Sequence, residues 1–250
     1  MRHIDHTKIE QFIESNIKDY HEKILKKLLK LQLKDVLKRK NPYLFRVKAL
    51  DTSQELIKSI IDAHLSSQEE GIFGAFLEQL AIFICEETYG GRKSSTEGID
   101  LEFEKDGIRY IVSIKSGPNW GNKSQVDKMK EYFRKAKRIL GTNRSKTNVV
   151  AVNGVCYGKD DHPEKEEYVK LCGQRFWELV SGNVELYTAM IEPLGRRAKQ
   201  RNETFQEEYN KVINRFTYEF SSDYCSPSGA IDWKKLLKFN SGKKEESLTQ

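Results

Sequence analysis

The sequence predicts a mixed α/β (α+β) protein, a central mixed β-sheet flanked by helices with a helical region at the N-terminus. Three observations carry this. "IDLEFEKDGIRYIVSIKSG" (99–117) alternates apolar and polar residues on either side of Asp106-Gly107, the signature of a hairpin with a two-residue turn. An amphipathic segment and then a continuous apolar strand, "TNVVAVNGVCYG" (147–158), follow it. The chain before the hairpin carries apolar residues at helical spacing.

Taken in order, residues from about 7 to 40 read as helix, with Ile24, Leu25, Leu28, Leu29, Val36 and Leu37 on the apolar side. Lys23, Lys26, Lys27, Lys30, Lys34, Lys38, Arg39 and Lys40 fill the other side, as a solvated face or as one that contacts phosphates. Asn41-Pro42 punctuates the chain. "SQELIKSIIDAHLSS" (53–67) is a second helix capped by Thr52 or Ser53, and "EEGIFGAFLEQLAIFICEETYGG" (69–91) a third, nearly apolar and therefore central. "RKSSTEG" (92–98) is a polar loop before the hairpin.

The segment 124–140 is an amphipathic helix with Val126, Met129, Phe133, Ala136 and Leu140 on one side. "EYVKLCGQRFWELVSG" (167–182) reads as a further helix, "ELYTAMIEPLG" (185–195) as mixed, and Thr204 to Phe220 as helix again. The organisation expected is a helical N-terminal region over 1–50, a core with its recognition elements over 51–241, and a polar tail over 242–250.

Composition narrows the class. A hydrophobic fraction of 38% supports a core, and no apolar run approaches the roughly 18 residues of a membrane span. The polar start "MRHIDHTKIEQF" lacks a secretory apolar segment, so a cytoplasmic location is expected. Cys85, Cys156, Cys172 and Cys225 are widely spaced, without zinc-ligand spacing, and read as packed thiols. The net charge of +6 is compatible with a polyanionic partner.

The hairpin brings chemistry together. With Asp106-Gly107 as the turn, Asp100 lies opposite Ser113, and Lys115 lies opposite Gly98, diagonal to Asp100. Side chains two apart share a face, so Asp100, Ser113 and Lys115 project together, while Val112 and Ile114 point into the core. A structural salt bridge is the plain reading of such a pair. The loop "SGPNWGN" after Lys115, small residues around one large aromatic, has the composition of a binding loop. Glu78, in "FGAFLEQLAIFI", has Gly74, Ala75, Ala81 and Ile82 as helical neighbours, and a buried glutamate there should meet a lysine or a metal.

The order helix glutamate, strand-start aspartate, strand-end lysine, helix resembles the PD-(D/E)xK nuclease superfamily, with Ile99-Asp100 at the Pro-Asp element and Ser113-Ile114-Lys115 at the acid-x-Lys element. "NPYLFRVK", "FGAFLEQLAIFI", "GIDLEF", "VSIKSGPNWGN", "VNGVCYGK", "CGQRFWELVSG" and "IDWKKLLKFNS", spread over roughly residues 40 to 241, together resemble one family of type II restriction endonucleases. The resemblance implies a restriction-endonuclease-like fold and magnesium-dependent hydrolysis of phosphodiester bonds in DNA.

Asp100 would be the main Mg2+ ligand, the carbonyl of Ile114 another, and Lys115 the group that orients or deprotonates the attacking water. Ser113 departs from the pattern, which has an acid there. Either Glu78 supplies the second carboxylate, or a water held by Ser113 fills the place, or Glu102 does, unless it is a strand residue paired with Arg109 or Lys105.

For DNA contacts, Asn119 can pair with adenine and Trp120 can stack at a base step or pack beneath the loop. Asn122 lies in the same loop, and Gln125 follows it near the phosphate. Arg144 with Lys146, and Arg196 and Arg197 with Lys199 and Arg201, form two basic clusters, DNA-facing or solvated. The partner expected is double-stranded DNA, cut as part of a restriction-modification system. Cutting both strands favours a homodimer, with a hetero-oligomer as the other arrangement. A repair or junction-resolving nuclease and a DNA-binding protein without catalysis are the alternatives.

Overall fold

The computed structural model describes residues 6–142, 148–196 and 198–243. Three helices open it, α1 (His6–Leu29), α2 (Leu33–Arg39) and α3 (Pro42–Val47). The start of α3 is set chemically: the Asn41 side chain accepts from the N–H groups of Tyr43 and Leu44, and Pro42, which has no N–H to satisfy, takes the first helical position.

Where two helices were expected, the chain forms a single one, α4 (Ser53–Tyr89), of 37 residues. Ser66-Ser67 and Gly71 lie around the expected break, but a serine or glycine costs a helix only about 1 kcal/mol or less, and no proline interrupts the run. Burial outweighs that cost on both sides of the expected break. Leu56, Ile57, Ile60, Ile61 and Leu65 sit in one core, and Phe76, Leu77, Leu80, Ala81 and Ile84 in another.

The loop expected at 92–98 contains a short edge strand, β1 (Arg92–Lys93), paired antiparallel with β2 (Leu101–Lys105). The hairpin partner is β3 (Ile108–Lys115), and the register is the expected one, with Lys105 opposite Ile108 and Leu101 opposite Val112. Asp106 and Gly107 both take positive φ, 52° and 75°, as a two-residue hairpin turn of this kind requires. Helix α5 (Lys123–Thr142) then carries the chain to β4 (Asn148–Val155), parallel to β3.

The segment 167–182, expected as one helix, divides into strand β5 (Val169–Cys172) and helix α6 (Gln174–Ser181). "VKLC" gains ladder hydrogen bonds by adding parallel to β4, a non-local pairing that overrides the local pattern, and Gly173 at φ 54° turns the chain between the two. Four helices follow: α7 (Leu186–Ala189), α8 (Ile191–Gly195), α9 (Ala198–Tyr224) and α10 (Trp233–Ser241), the last capped by Asp232, which accepts from the Lys235 N–H.

The fold is therefore α+β, with a mixed five-stranded sheet in the order β1-β2-β3-β4-β5 and a helical N-terminal region. The chain packs into two compact units, one of residues through Tyr20 with Glu70–Arg196, the other of His21–Glu69 with the chain beyond Arg196. The first holds the whole sheet. On one sheet face, Leu101, Phe103, Val112, Ile114 and Val152 pack with Phe76, Leu80 and Ile84 of α4 and Phe176 of α6. On the other, Ile111 and Ala151 pack with Met129, Phe133 and Ala136 of α5. The second unit has its own core, in which α2, α3, α9 and α10 contribute Val36, Phe45, Phe216 and Leu236.

Candidate active site

Three of the expected residues meet at the end of β3, beside the start of β2. The Asp100 N–H donates to the carbonyl of Val112 (2.8 Å), the residue that faces Leu101, so two successive residues meet one and the regular ladder ends here as in a bulge. Its carboxylate Oδ2 accepts from the backbone N–H of Ile114 (2.7 Å) and, at longer range, from Ser113 Oγ (3.4 Å). Lys115 Nζ lies 4.0 Å from the same oxygen. Ser113 is buried and uncharged, and it donates towards Asp100. Its role in the geometry is to hold that carboxylate in place.

Backbone alternation fixes another group. The N–H and C=O of one strand residue point the same way. The Ile114 N–H points at Asp100, so its carbonyl lies on that same edge. Ser113 and Lys115 face β4 instead, and the Lys115 carbonyl accepts from Cys156 N–H (2.9 Å).

A cleft of about 360 Å3 opens over this strand end, lined by Asp100, Ser113, Lys115 and Trp120 on one side and by Gln125, Lys128 and Tyr132 of α5 on the other. Gly98 lines it as well. It has φ 76°, and a Cβ there would overlap the Tyr132 ring, so two independent constraints keep position 98 without a side chain in the cleft that Lys115 also lines.

Trp120 is packed beneath the loop, against the core on the α5 side of the sheet. Its Nε1–H donates to Asn153 Oδ1 (3.1 Å), and Asn153 Nδ2 donates to the Ser113 carbonyl (3.2 Å). Asn153 is 1% exposed, and these two bonds satisfy both ends of its amide. The indole face lies 5.3 Å below Lys115 Nζ. Lys115 is thus held between a carboxylate and a ring. Nothing local points to the Asn153 link, which depends on β4 pairing beside β3.

Glu78 comes from α4. Gly74, one turn earlier, packs against Ser116 at the start of the loop, and a Cβ there would sit 3.2 Å from the Ser116 Cβ. Lys93 Nζ of β1 lies 3.6 Å from Glu78 Oε1. Burial pushes the Glu78 carboxyl above its ordinary value and the negative charge of Asp100 pushes the same way, only partly offset by Lys93 and Lys115. The charge of Asp100 thus reaches Glu78 and disfavours a second anion there.

Glu102 has different partners. It is 7% exposed, accepts from Ser94 Oγ (2.7 Å) and Arg109 (2.9 Å), and has Arg92 at 3.8 Å. Burial pushes its carboxyl up, but these hydrogen bonds and charges outweigh that and leave it below the ordinary value. Glu102 is therefore committed to an ion-paired network on β1 and β3.

Of the expected DNA contacts, Asn119 is exposed on the loop. Asn122 and Gln125 cap α5: Asn122 Oδ1 accepts from Gln125 N–H (3.1 Å) and Gln125 Oε1 accepts from Asn122 N–H (2.9 Å), a reciprocal capping box. Gln125 still lines the cleft. Arg196 pairs with Glu10 (2.8 Å) and Glu14 (2.9 Å) of α1. Arg144, Lys146 and Arg197 lie outside the described residues, as do the side chains of Lys199 and Arg201. Lys128 and Tyr132 were not singled out in the sequence. Their signal was the Gln125, Lys128, Tyr132 spacing along one helix stripe.

The donor set fits a hard divalent cation. Among the described residues no three His, Cys, Asp or Glu side chains cluster as a metal cage. Magnesium does not need one, since it binds through one or two carboxylates with waters and substrate phosphate. Asp100, Glu78 and the Ile114 carbonyl are all oxygen donors of that kind.

A mixed sheet with an aspartate and a lysine meeting at the ends of neighbouring strands, and a glutamate on the covering helix, has the architecture of a restriction-endonuclease-like nuclease. The family model for the type II restriction endonuclease EcoO109I matches residues 7–202, and the chain belongs to that family. No curated protein matched the chain. No helix among the described residues is long and apolar enough to cross a membrane.

Proposed function

We propose that this chain is the magnesium-dependent, site-specific endonuclease of a restriction-modification system, acting on double-stranded DNA as a homodimer. The observation that carries the reading is the meeting of Asp100 and Lys115 at the strand end of a chain of this family. Asp100, Glu78 and the Ile114 carbonyl would hold Mg2+, which when bound supplies charge neutralisation at the phosphate and a more acidic attacking water.

The chain's own residues do the rest. Ser113 and the Ile114 N–H orient the Asp100 carboxylate. Lys115 Nζ, fixed over Trp120, orients the attacking water and offsets the negative charge that develops on the phosphate. Asn119, exposed on the loop beside this strand end, is placed to read a base edge, while Gln125 and Lys128 face the phosphates entering the cleft. One active site cuts one strand, so a cut through both strands calls for two copies of the chain.

The test is incubation of the purified protein with unmethylated plasmid and genomic DNA in magnesium. Discrete, reproducible fragments are expected. Cutting confined to branched substrates would replace this reading with a junction-resolving one. Binding without cutting under any divalent metal would leave a DNA-binding protein, and the serine at position 113 would account for it.

The raised carboxyl of Glu78 makes a further prediction. Protons compete with the cation for this group, and they do so above the ordinary glutamate value of 4.5. As pH falls towards that window, the magnesium concentration giving half-maximal cleavage should rise. Glu78→Gln should raise that concentration roughly ten- to a hundredfold and flatten its pH dependence. Unchanged magnesium dependence in Glu78→Gln would remove Glu78 from the site.

A further inference from the structure

In the second unit, separate from the sheet, three cations converge on one histidine. His64 is half-buried on α4. Lys40, which ends α2, donates from Nζ to the Ala63 carbonyl (2.9 Å). Lys27 of α1 donates to Gln68 Oε1, one helical turn beyond His64. Arg39, the last residue of α2, is exposed beside Lys40. All three cations lie near enough to His64 for their charges to act on it. Burial lowers its proton affinity, and the charges of Lys40, Arg39 and Lys27 lower it further.

Among the described residues, none of these three cations forms an ion pair with a carboxylate. Asp62, two residues from His64, accepts from the Tyr209 hydroxyl instead (2.5 Å). Some cations of the chain do find carboxylates: Arg196 has two glutamates, and Lys165 and Lys170 share Asp160. Here like charges from two chain segments are drawn against one helix, with neutral acceptors and no counter-charge. Such a cluster repels itself in the free protein and is relieved by a polyanion.

We infer that Lys27, Arg39 and Lys40, gathered around His64, form a contact for the phosphate backbone of duplex DNA, separate from the catalytic cleft. The choice of duplex DNA as the polyanion rests on the nuclease reading above. Contacts of this kind set affinity and position without reading sequence. The basic face of the N-terminal helices thereby acquires a specific part that binds phosphate.

The test compares the wild type with the triple variant Lys27→Gln, Arg39→Gln, Lys40→Gln. A control carries the same charge change elsewhere in the unit, Lys234→Gln, Lys235→Gln, Lys243→Gln. Thermal unfolding first verifies that all three are folded. Binding of a duplex lacking the recognition sequence is then followed by fluorescence anisotropy against salt. Three lost phosphate contacts should lower the log–log salt slope by about 2.7 and weaken binding at low salt roughly tenfold or more. The control should lose far less. The imidazole resonance of His64 should move on adding duplex to the wild type and stay still in the triple variant.

Equal losses in the triple variant and the control would overturn the inference, as would a silent His64 resonance. Preference of the wild type for RNA or for phosphatidylglycerol vesicles over duplex would also overturn it. A wild type that cuts DNA, beside a triple variant with unchanged affinity and slope, removes this contact alone. A wild type that does not bind duplex removes the nuclease reading with it.

Discussion

Asp100→Asn is expected to lower the DNA cleavage rate at saturating magnesium by at least about a thousandfold, with DNA binding and thermal stability close to wild type. Asparagine has the size of aspartate, and its carbonyl can still accept from the Ile114 N–H that holds the native carboxylate at 2.7 Å. What is lost is charge. The variant has no anionic oxygen to offer a divalent cation and none to face Lys115 Nζ, 4.0 Å away. Asp100→Ala separates the two contributions. It removes the same charge but leaves the Ile114 amide without its acceptor, which costs about 1–3 kcal/mol and should appear as a lower melting temperature. Single-turnover cleavage, duplex binding in calcium and thermal unfolding of the two variants make the comparison. Cleavage by Asp100→Asn at the wild-type rate would remove Asp100 from the site.

That Asp100 could be picked out at all reflects how local the signal was. Two positive-φ residues, Asp106 and Gly107, fix the hairpin register, and once the turn is fixed every side chain on β2 and β3 has a face. Lys115 and Asp100 follow by counting. The elements that sequence reading misjudged depend on distant partners. The strand Val169–Cys172 exists because β4 offers it an edge, and the two-residue strand Arg92–Lys93 because β2 does. The unbroken α4 exists because two separate cores bury its two halves.

The same division runs through the site. The separation of the two candidate glutamates rests on surroundings brought in by folding: Ser94, Arg109 and Arg92 engage Glu102, while burial and then the charge of Asp100 raise Glu78. Arg196 read as a basic cluster because its partners, Glu10 and Glu14, lie almost the whole matched region away in sequence. The Asn122–Gln125 cap, by contrast, was local, three residues apart at a helix start.

Lys115→Met is expected to lower cleavage by roughly a hundredfold to ten-thousandfold while duplex affinity changes little, the pattern of a group that acts in the transition state. Methionine keeps the length and apolar contacts of the chain and removes only the ammonium. Trp120 then decides between two roles for itself. It lies 5.3 Å from Lys115 Nζ and is tied through Asn153 to the Ser113 carbonyl, so its side chain can act on the reaction by holding the lysine. It can also act by touching DNA. Trp120→Phe keeps the ring but leaves Asn153 Oδ1 without a donor inside the protein, at a cost of about 1–3 kcal/mol in stability. Trp120→Ala removes ring and donor together. If Trp120 serves Lys115, its replacement by alanine lowers the rate in the wild-type background and has little further effect once Lys115 is methionine. The two losses are then strongly non-additive, as expected for residues in contact. If Trp120 instead meets DNA, Trp120→Ala weakens duplex binding by the same factor in both backgrounds, and the losses add. Rates and affinities for the four proteins of this cycle distinguish the two, and the buried Asn153 link predicts the non-additive result.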